Sequence, residues 1–344
     1  MKFLLKKYKI FFICYLPFFI FVMFICLYKT NYSSITTGDI TNLNTIFEVE
    51  NGYSTEGSLN SVFVYSSDKI SLFQKWTTKL DKNAYIYIPS SNYLKFSVED
   101  TIKMGNIEKK QSIEASVIYA YKKASELNSD INLTYSFKGL IIHYYVQNSD
   151  MQFKIGDIIT EINGVTADNG YENLYNAYIN MMEGSSVTVI RSGNNLSFET
   201  NADSSNYIKD EKTYSNISVY EKYDINYSMS YPKLNISSIN TQGPSAGLMQ
   251  TLCIYNQLVS EDITNGKRIV GTGTIDVSGN VGVIGGIEQK VVAAYKNKAT
   301  YFLCPESNYE DGYAQYQKLG KKKSRMKFIM VKTFEDALEA IYNA

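Results

Sequence analysis

The sequence predicts an α+β protein carrying an N-terminal transmembrane helix, and three observations lead there. An almost unbroken apolar run follows a cluster of lysines at the N-terminus. Behind it, runs with strand-like patterning alternate with runs of helical period. In mid-chain, a short strand-rich block containing an Asn-Gly turn separates two longer mixed segments.

Lys2, Lys6, Lys7 and Lys9 precede the apolar run 10–28. As a helix this run would span roughly 28 Å, about one hydrocarbon core. Lysines on that side place residues 1–9 in the cytoplasm and 10–28 in the membrane, with everything after Lys29 extracytoplasmic. The expectation is a single-pass protein of the cell membrane. A cleaved signal peptide would have a shorter apolar core followed by an A-x-A-like site. Here Thr30, Asn31 and Tyr32 come next.

At 344 residues the chain has room for two folded domains besides the anchor. Its 34 basic and 34 acidic residues balance, so nothing in the charge points to nucleic acid. The four cysteines, Cys14, Cys26, Cys253 and Cys304, show no CxxC or metal-ligand spacing and read as free thiols.

After the anchor, residues 44–50 and 58–66 are strand-like, with the turn signal Asn51-Gly52 between them. Residues 69–80 read as a helix. Residues 99–127 read as a helix or helix pair, with Ile102, Ile113, Val117, Ile118 and Ala124 as its buried face. The mid-chain block follows: a strand over 139–146, a strand and Asn-Gly turn in GDIITEING (156–164), a helix over 171–182, and a hairpin of 186–191 with 195–200.

The chemistry is carried further on. Gln242-Gly243-Pro244-Ser245-Ala246-Gly247 opens a helical run, with Leu248, Leu252, Tyr255 and Val259 spaced for one buried face. Ser245 therefore stands at a helix start, where it could simply cap the helix. The same position gives a hydroxyl nucleophile the free N–H groups that a tetrahedral oxyanion needs, with Gly243, Ser245 and Ala246 as the candidates.

Such a hydroxyl needs a base. The single histidine, His143, lies in the mid-chain block, and no HExxH or His/Cys cluster suggests a metal; no metal or other cofactor is expected. Lysine remains. Lys290 falls in the first turn of a helix after Gly285-Gly286, beside Val291 and Val292. Burial and the positive helix end both favour its neutral form, which a lysine base requires. Standing alone, the segment would read as a solvated surface lysine.

Gly-Pro-Ser-Ala-Gly at 243–247, followed by Gly-Gly-Ile-x-x-Lys at 285–290, resembles the proteolytic domain of Lon proteases (S16). The intervening GTGTID and GNVGVIGGI and the late FEDALEAIY add to the likeness. The resemblance implies a serine peptidase with Ser245 as nucleophile, Lys290 as its partner and Thr272 hydrogen-bonding the lysine. In Lon an Asp commonly precedes Gly-Pro-Ser; Gln242 stands there in this chain.

The mid-chain block, 129–203, resembles a PDZ domain of the bacterial protease type. That likeness implies a carboxylate-binding loop at Lys138, Gly139, Leu140 and Ile141 and a peptide groove along 171–182. The order of anchor, PDZ and Lon-like domain resembles the PDZ-containing, membrane-anchored Lon-like peptidases of low-GC Gram-positive bacteria. Too few residues follow the block for a whole Lon-like domain. The expectation is therefore that 35–128 and 204–344 form one Lon-like domain with the PDZ inserted.

No GxxxxGK[ST] phosphate loop occurs in the sequence, so ATP-independent cleavage of extracytoplasmic peptides or small membrane-tethered proteins is expected, with the PDZ presenting substrate. The competing reading is a PDZ peptide-binding scaffold with an inactive hydrolase domain. A signal-peptidase-like Ser-Lys hydrolase fits the motif and its spacing less well. The sequence leaves substrate and oligomeric state open.

Overall fold

The computed structural model describes residues 2–209, 212–239, 241–320 and 325–343, with backbone alone at 2–7, 10, 12 and 14. It is a mixed α+β structure built on two large sheets.

The lysine-led run forms a helix, Lys2–Leu27. However, no helix among the described residues is long and apolar enough to cross a membrane, which overturns the expected transmembrane anchor over 10–28. Pro17 lies inside this helix.

The first sheet runs in the order Lys327–Val331, Tyr301–Pro305, Arg268–Gly271, Ser58–Ser67, Ser33–Asn42, Tyr85–Tyr87. The first three junctions are parallel and the last two antiparallel. Parallel strands covered on both faces should be apolar throughout, and every residue of Tyr301–Pro305 is buried. Successive residues point to opposite faces. Leu59, Ile269 and Leu303 pack with the helices Val98–Ser125, Gly247–Leu258 and Phe334–Tyr342. Val62, Val270 and Phe302 pack with the helix Ile287–Lys296 on the other face. The result is three layers, helices on either side of a sheet.

The expected hairpin of 44–50 with 58–66 does not form. Ser58–Ser67 pairs instead with the earlier strand Ser33–Asn42, and Phe47–Val49 pairs with Leu234–Ile236. Asn51 takes a positive φ as a turn residue should, but the turn joins strands of different sheets.

Val98–Ser125 is one helix. Ser97 and Asp100 form its capping box, and Lys122 and Lys123 sit in the last turn, where the helix dipole favours cations. Val117, Ile118 and Ala124 are buried as the periodicity predicts. Ile102 is 46% exposed.

The second sheet is ordered Ile217–Tyr231, Asn132–Tyr145, Ile158–Ile162, Ser186–Arg191, Asn194–Glu199. Its core is Leu140, Ile142, Ile159, Ile162, Val187 and Val189, with Leu174 and Tyr178 of the helix Tyr171–Ile179 packed against them. Asn163 and Gly164, both at positive φ, make the expected turn. Residues 217–231, which the sequence did not single out as a strand, form the longest strand of this unit and pair with Asn132–Tyr145. Residues before and after the unit meet in the first sheet, where Arg268–Gly271 lies beside Ser58–Ser67.

Candidate active site

The turn bearing Ser245 is shaped by three small residues. Gly243 has φ +82°, a conformation costly for any residue with a Cβ. Pro244 follows with its fixed φ. At Gly247 a Cβ would come within 2.9 Å of the Ile275 backbone nitrogen and 2.9 Å of Ser112 Oγ.

The long helix Val98–Ser125 holds this turn from behind. Ser112 Oγ donates to the Pro244 carbonyl at 2.9 Å, and Ser116 Oγ donates to the Gly247 carbonyl at 3.0 Å. The Gly243 N–H donates to the Gly105 carbonyl at 3.1 Å. From the other side, Thr272 Oγ1 and the Gly273 N–H both donate to the Ser245 carbonyl at 2.9 Å.

Lys290 comes from the helix Ile287–Lys296, whose start is set by Gly286 at φ +68°. Its side chain is 2% exposed. Nζ lies 2.8 Å from Ser245 Oγ and 3.0 Å from Thr272 Oγ1, and Thr272 is fully buried. Burial lowers the pKa of the amine from its ordinary 10.5 to about 7. At neutral pH a large fraction of Lys290 is therefore uncharged and able to accept a proton from the hydroxyl beside it.

Of the three amides expected at the helix start, Gly243 N–H is committed to Gly105. Those of Ser245 and Ala246 make no hydrogen bond to protein among the described residues. They remain at the positive end of the helix Gly247–Leu258, suited to a developing oxyanion. Ser245 and Lys290 open into a cleft of about 930 Å³, walled by Gln242 and Gly285 on one side and by Ser61, Phe63 and Tyr65 of the first sheet on the other.

The remaining candidates lie elsewhere. His143 sits between the long helix and the second sheet, its Nε2 2.9 Å from Ser218 Oγ and its Nδ1 3.3 Å from Glu108. Burial pushes the thiols of Cys253 and Cys304 up to about 12, which suits packing and not nucleophilic attack. Among the described residues, no group of three His, Cys, Asp or Glu side chains could hold a metal ion.

Lys138, Gly139, Leu140 and Ile141 form no loop. They lie within Asn132–Tyr145, where Leu140 and Ile141 face Ile159 and Ile158 on one edge while Gly139, Leu140 and Ile141 face Lys222, Glu221 and Tyr220 on the other. Tyr178 of the expected groove helix donates to the Ile217 carbonyl at 2.6 Å. The edge a peptide would join is thus taken by the chain's own strand.

Sequence reasoning missed Gly105, Ser112 and Ser116, which brace the nucleophile turn. Their signal was faint: small residues recurring at helical spacing on a helix read only for its apolar face.

Residues 181–343 match the Lon protease (S16) C-terminal proteolytic domain. The chain is 32% identical to a Lon protease of Campylobacter jejuni over 126 residues, 36% of this chain and 14% of that protein. It is 36% identical to a Lon protease of Endomicrobium trichonymphae over 74 residues, 22% of this chain and 9% of that protein. To a Lon protease of Fusobacterium nucleatum it is 32% identical over 100 residues, 29% of this chain and 12% of that protein. The matches thus span about a tenth of these relatives' length. The match falls on the part of those proteins described as proteolytic.

Proposed function

We propose that this chain is a serine endopeptidase working through a Ser245–Lys290 dyad without ATP. The observation that carries the reading is the 2.8 Å contact between Ser245 Oγ and an amine whose burial holds its pKa near 7.

Neutral Lys290 takes the Ser245 proton as Oγ attacks the scissile carbonyl carbon. The carbonyl oxygen becomes an oxyanion facing the N–H groups of Ser245 and Ala246. The intermediate then collapses: the C–N bond breaks, and Lys290 passes its proton to the leaving amine. Lys290 then deprotonates a water that attacks the acyl-serine; as the acyl C–O bond breaks, Lys290 returns the proton to Ser245 Oγ and the acid product leaves. Thr272 touches both the amine and the Ser245 carbonyl, so it positions the pair without exchanging protons.

ATP independence rests on the lack of a GxxxxGK[ST] loop in this sequence. Accessible peptides or flexible segments are then the substrate class. The PDZ-like reading of 129–203 enters in altered form. With its strand edge occupied by Ile217–Tyr231, the unit does not capture chain ends along that edge.

Incubating the protein with casein or a peptide mixture, with and without ATP, tests the proposal. Cleavage without ATP, abolished in Ser245→Ala, is expected. An intact substrate under all conditions would leave the competing reading, a scaffold with an inactive hydrolase domain.

A further inference from the structure

A second cavity, of about 260 Å³, lies between the long helix, the strand Ile217–Tyr231 and residues 274–282. Its wall includes Pro244, the residue immediately before Ser245, and Ser112, which holds the Pro244 carbonyl. Ala115, Tyr223, Ile275 and Val281 make much of the lining apolar. The volume is below that of a site for a whole small ligand but adequate for one long side chain.

The same cavity is lined by three carboxylates, Glu108, Glu221 and Asp276, and by no lysine or arginine among the described residues. Their partners on the protein carry no fixed positive charge. Tyr223 Oη donates to Glu221 at 2.6 Å, the N–H groups of Ser278 and Asn280 donate to Asp276 at 2.9 Å, and His143 faces Glu108. Burial pushes the Glu221 carboxyl up, and the nearby charge of Asp276 adds to it. Lys222, the neighbouring cation, is turned away to Glu114.

We propose that this cavity, which shares Pro244 with the catalytic cleft, is a specificity pocket that receives a lysine or arginine side chain of the substrate. Apolar walls suit the aliphatic stem, and the carboxylates suit the charged head. The pocket joins the two sheet units: Glu221 comes from the second, Asp276 and Pro244 from the half that carries the dyad. The proposal rests on the endopeptidase reading above.

The test uses the full chain and a pair of peptides that differ only in one central residue, lysine or its uncharged isostere norleucine. Cuts are mapped by mass spectrometry and kcat/KM is measured for each. Cutting within two residues of the lysine, with kcat/KM about tenfold or more above the norleucine peptide, is expected. Glu221→Gln and Asp276→Asn, made separately in case one misfolds, should each move that ratio toward one. Equal rates for the two peptides, or a ratio unmoved in both folded variants, would overturn the pocket alone. No cleavage of either peptide, in a preparation that also leaves casein intact, would overturn the endopeptidase reading and the pocket with it.

Discussion

Among the described residues, Lys222 and Lys290 are largely buried in contrasting settings. At the junction of the long helix with the second sheet, Lys222 lies 2.5 Å from Glu114, and both side chains are largely buried. In the cleft, Lys290 is more deeply buried and meets two hydroxyls, Ser245 Oγ and Thr272 Oγ1. A carboxylate partner keeps an ammonium ion as an ion; hydroxyls compensate little of its lost hydration. Burial consequently lowers the Lys290 pKa to about 7, whereas at the junction burial raises the Glu114 carboxyl even against the pull of Lys222. The residue type is the same, so the difference lies in the surroundings: deeper burial and two hydroxyls at Lys290, a carboxylate at Lys222.

The largest expected effect is on activity. Lys290→Arg keeps a cation in the cleft but cannot release its proton at any working pH. It should be about as inactive as Ser245→Ala, a loss of about ten-thousand-fold or more in kcat, because the two residues act as one unit. Lys222→Arg keeps its carboxylate partner and should retain most activity. Peptide cleavage by the three variants side by side makes the comparison; comparable losses at positions 222 and 290 would break it.

pH sharpens the contrast. Since neutral Lys290 is the active form, kcat/KM should rise about tenfold per pH unit below about 7 and level off above it. His143 lies outside the cleft, so His143→Gln should leave that profile in place. A profile that loses its inflection in His143→Gln would contradict the role given to Lys290.

Stability should respond with opposite signs. The unfolded chain holds the Lys290 proton with a pKa of 10.5 against about 7 when folded, so this group makes stability rise with pH between those values. At pH 7, Lys290→Met should therefore stabilise, by about 1–3 kcal/mol, while abolishing activity. Lys222→Met leaves Glu114 buried without its cation and should cost about 3 kcal/mol. Denaturant melts of both variants at pH 7 decide this, and destabilisation in both would refute it. Within the catalytic trio the smallest effect is expected at Thr272: Thr272→Ser, which keeps the hydroxyl, should lose less than Thr272→Ala, which should fall about ten- to a hundredfold in kcat.

Much of the site was legible in the linear chain because it is built from local signals. Gly243 and Pro244 precede Ser245, and Gly285-Gly286 precedes the helix of Lys290, since tight turns and helix starts demand those residue types wherever they fold. The fold was legible where patterning is local, as in the helix Val98–Ser125, the turn at Asn163-Gly164 and the hairpin of Ser186–Arg191 with Asn194–Glu199. It was misread where pairing is long-range. Ser58–Ser67 could have joined either flanking segment by pattern alone, whereas 223–231 alternates apolar and polar residues as a strand should, a signal that the sequence reading passed over. The N-terminal run misled differently: its apolar residues form a helix, yet none among the described residues reaches the length and apolarity of a membrane span.

By itself, then, the sequence determined which residues could do chemistry, namely a serine at a helix start and a lysine flanked by valines, together with a threonine between them and the absence of any second histidine. Only the tertiary structure decided that these three side chains meet within 3.0 Å, that Gly105 takes the Gly243 amide, and that the chain's own strand closes the edge beside Gly139. The physical reason is that residue type and local conformation are set by neighbours in the chain. Burial, and with it the free energy of an uncompensated amine, is set by residues that only folding brings near.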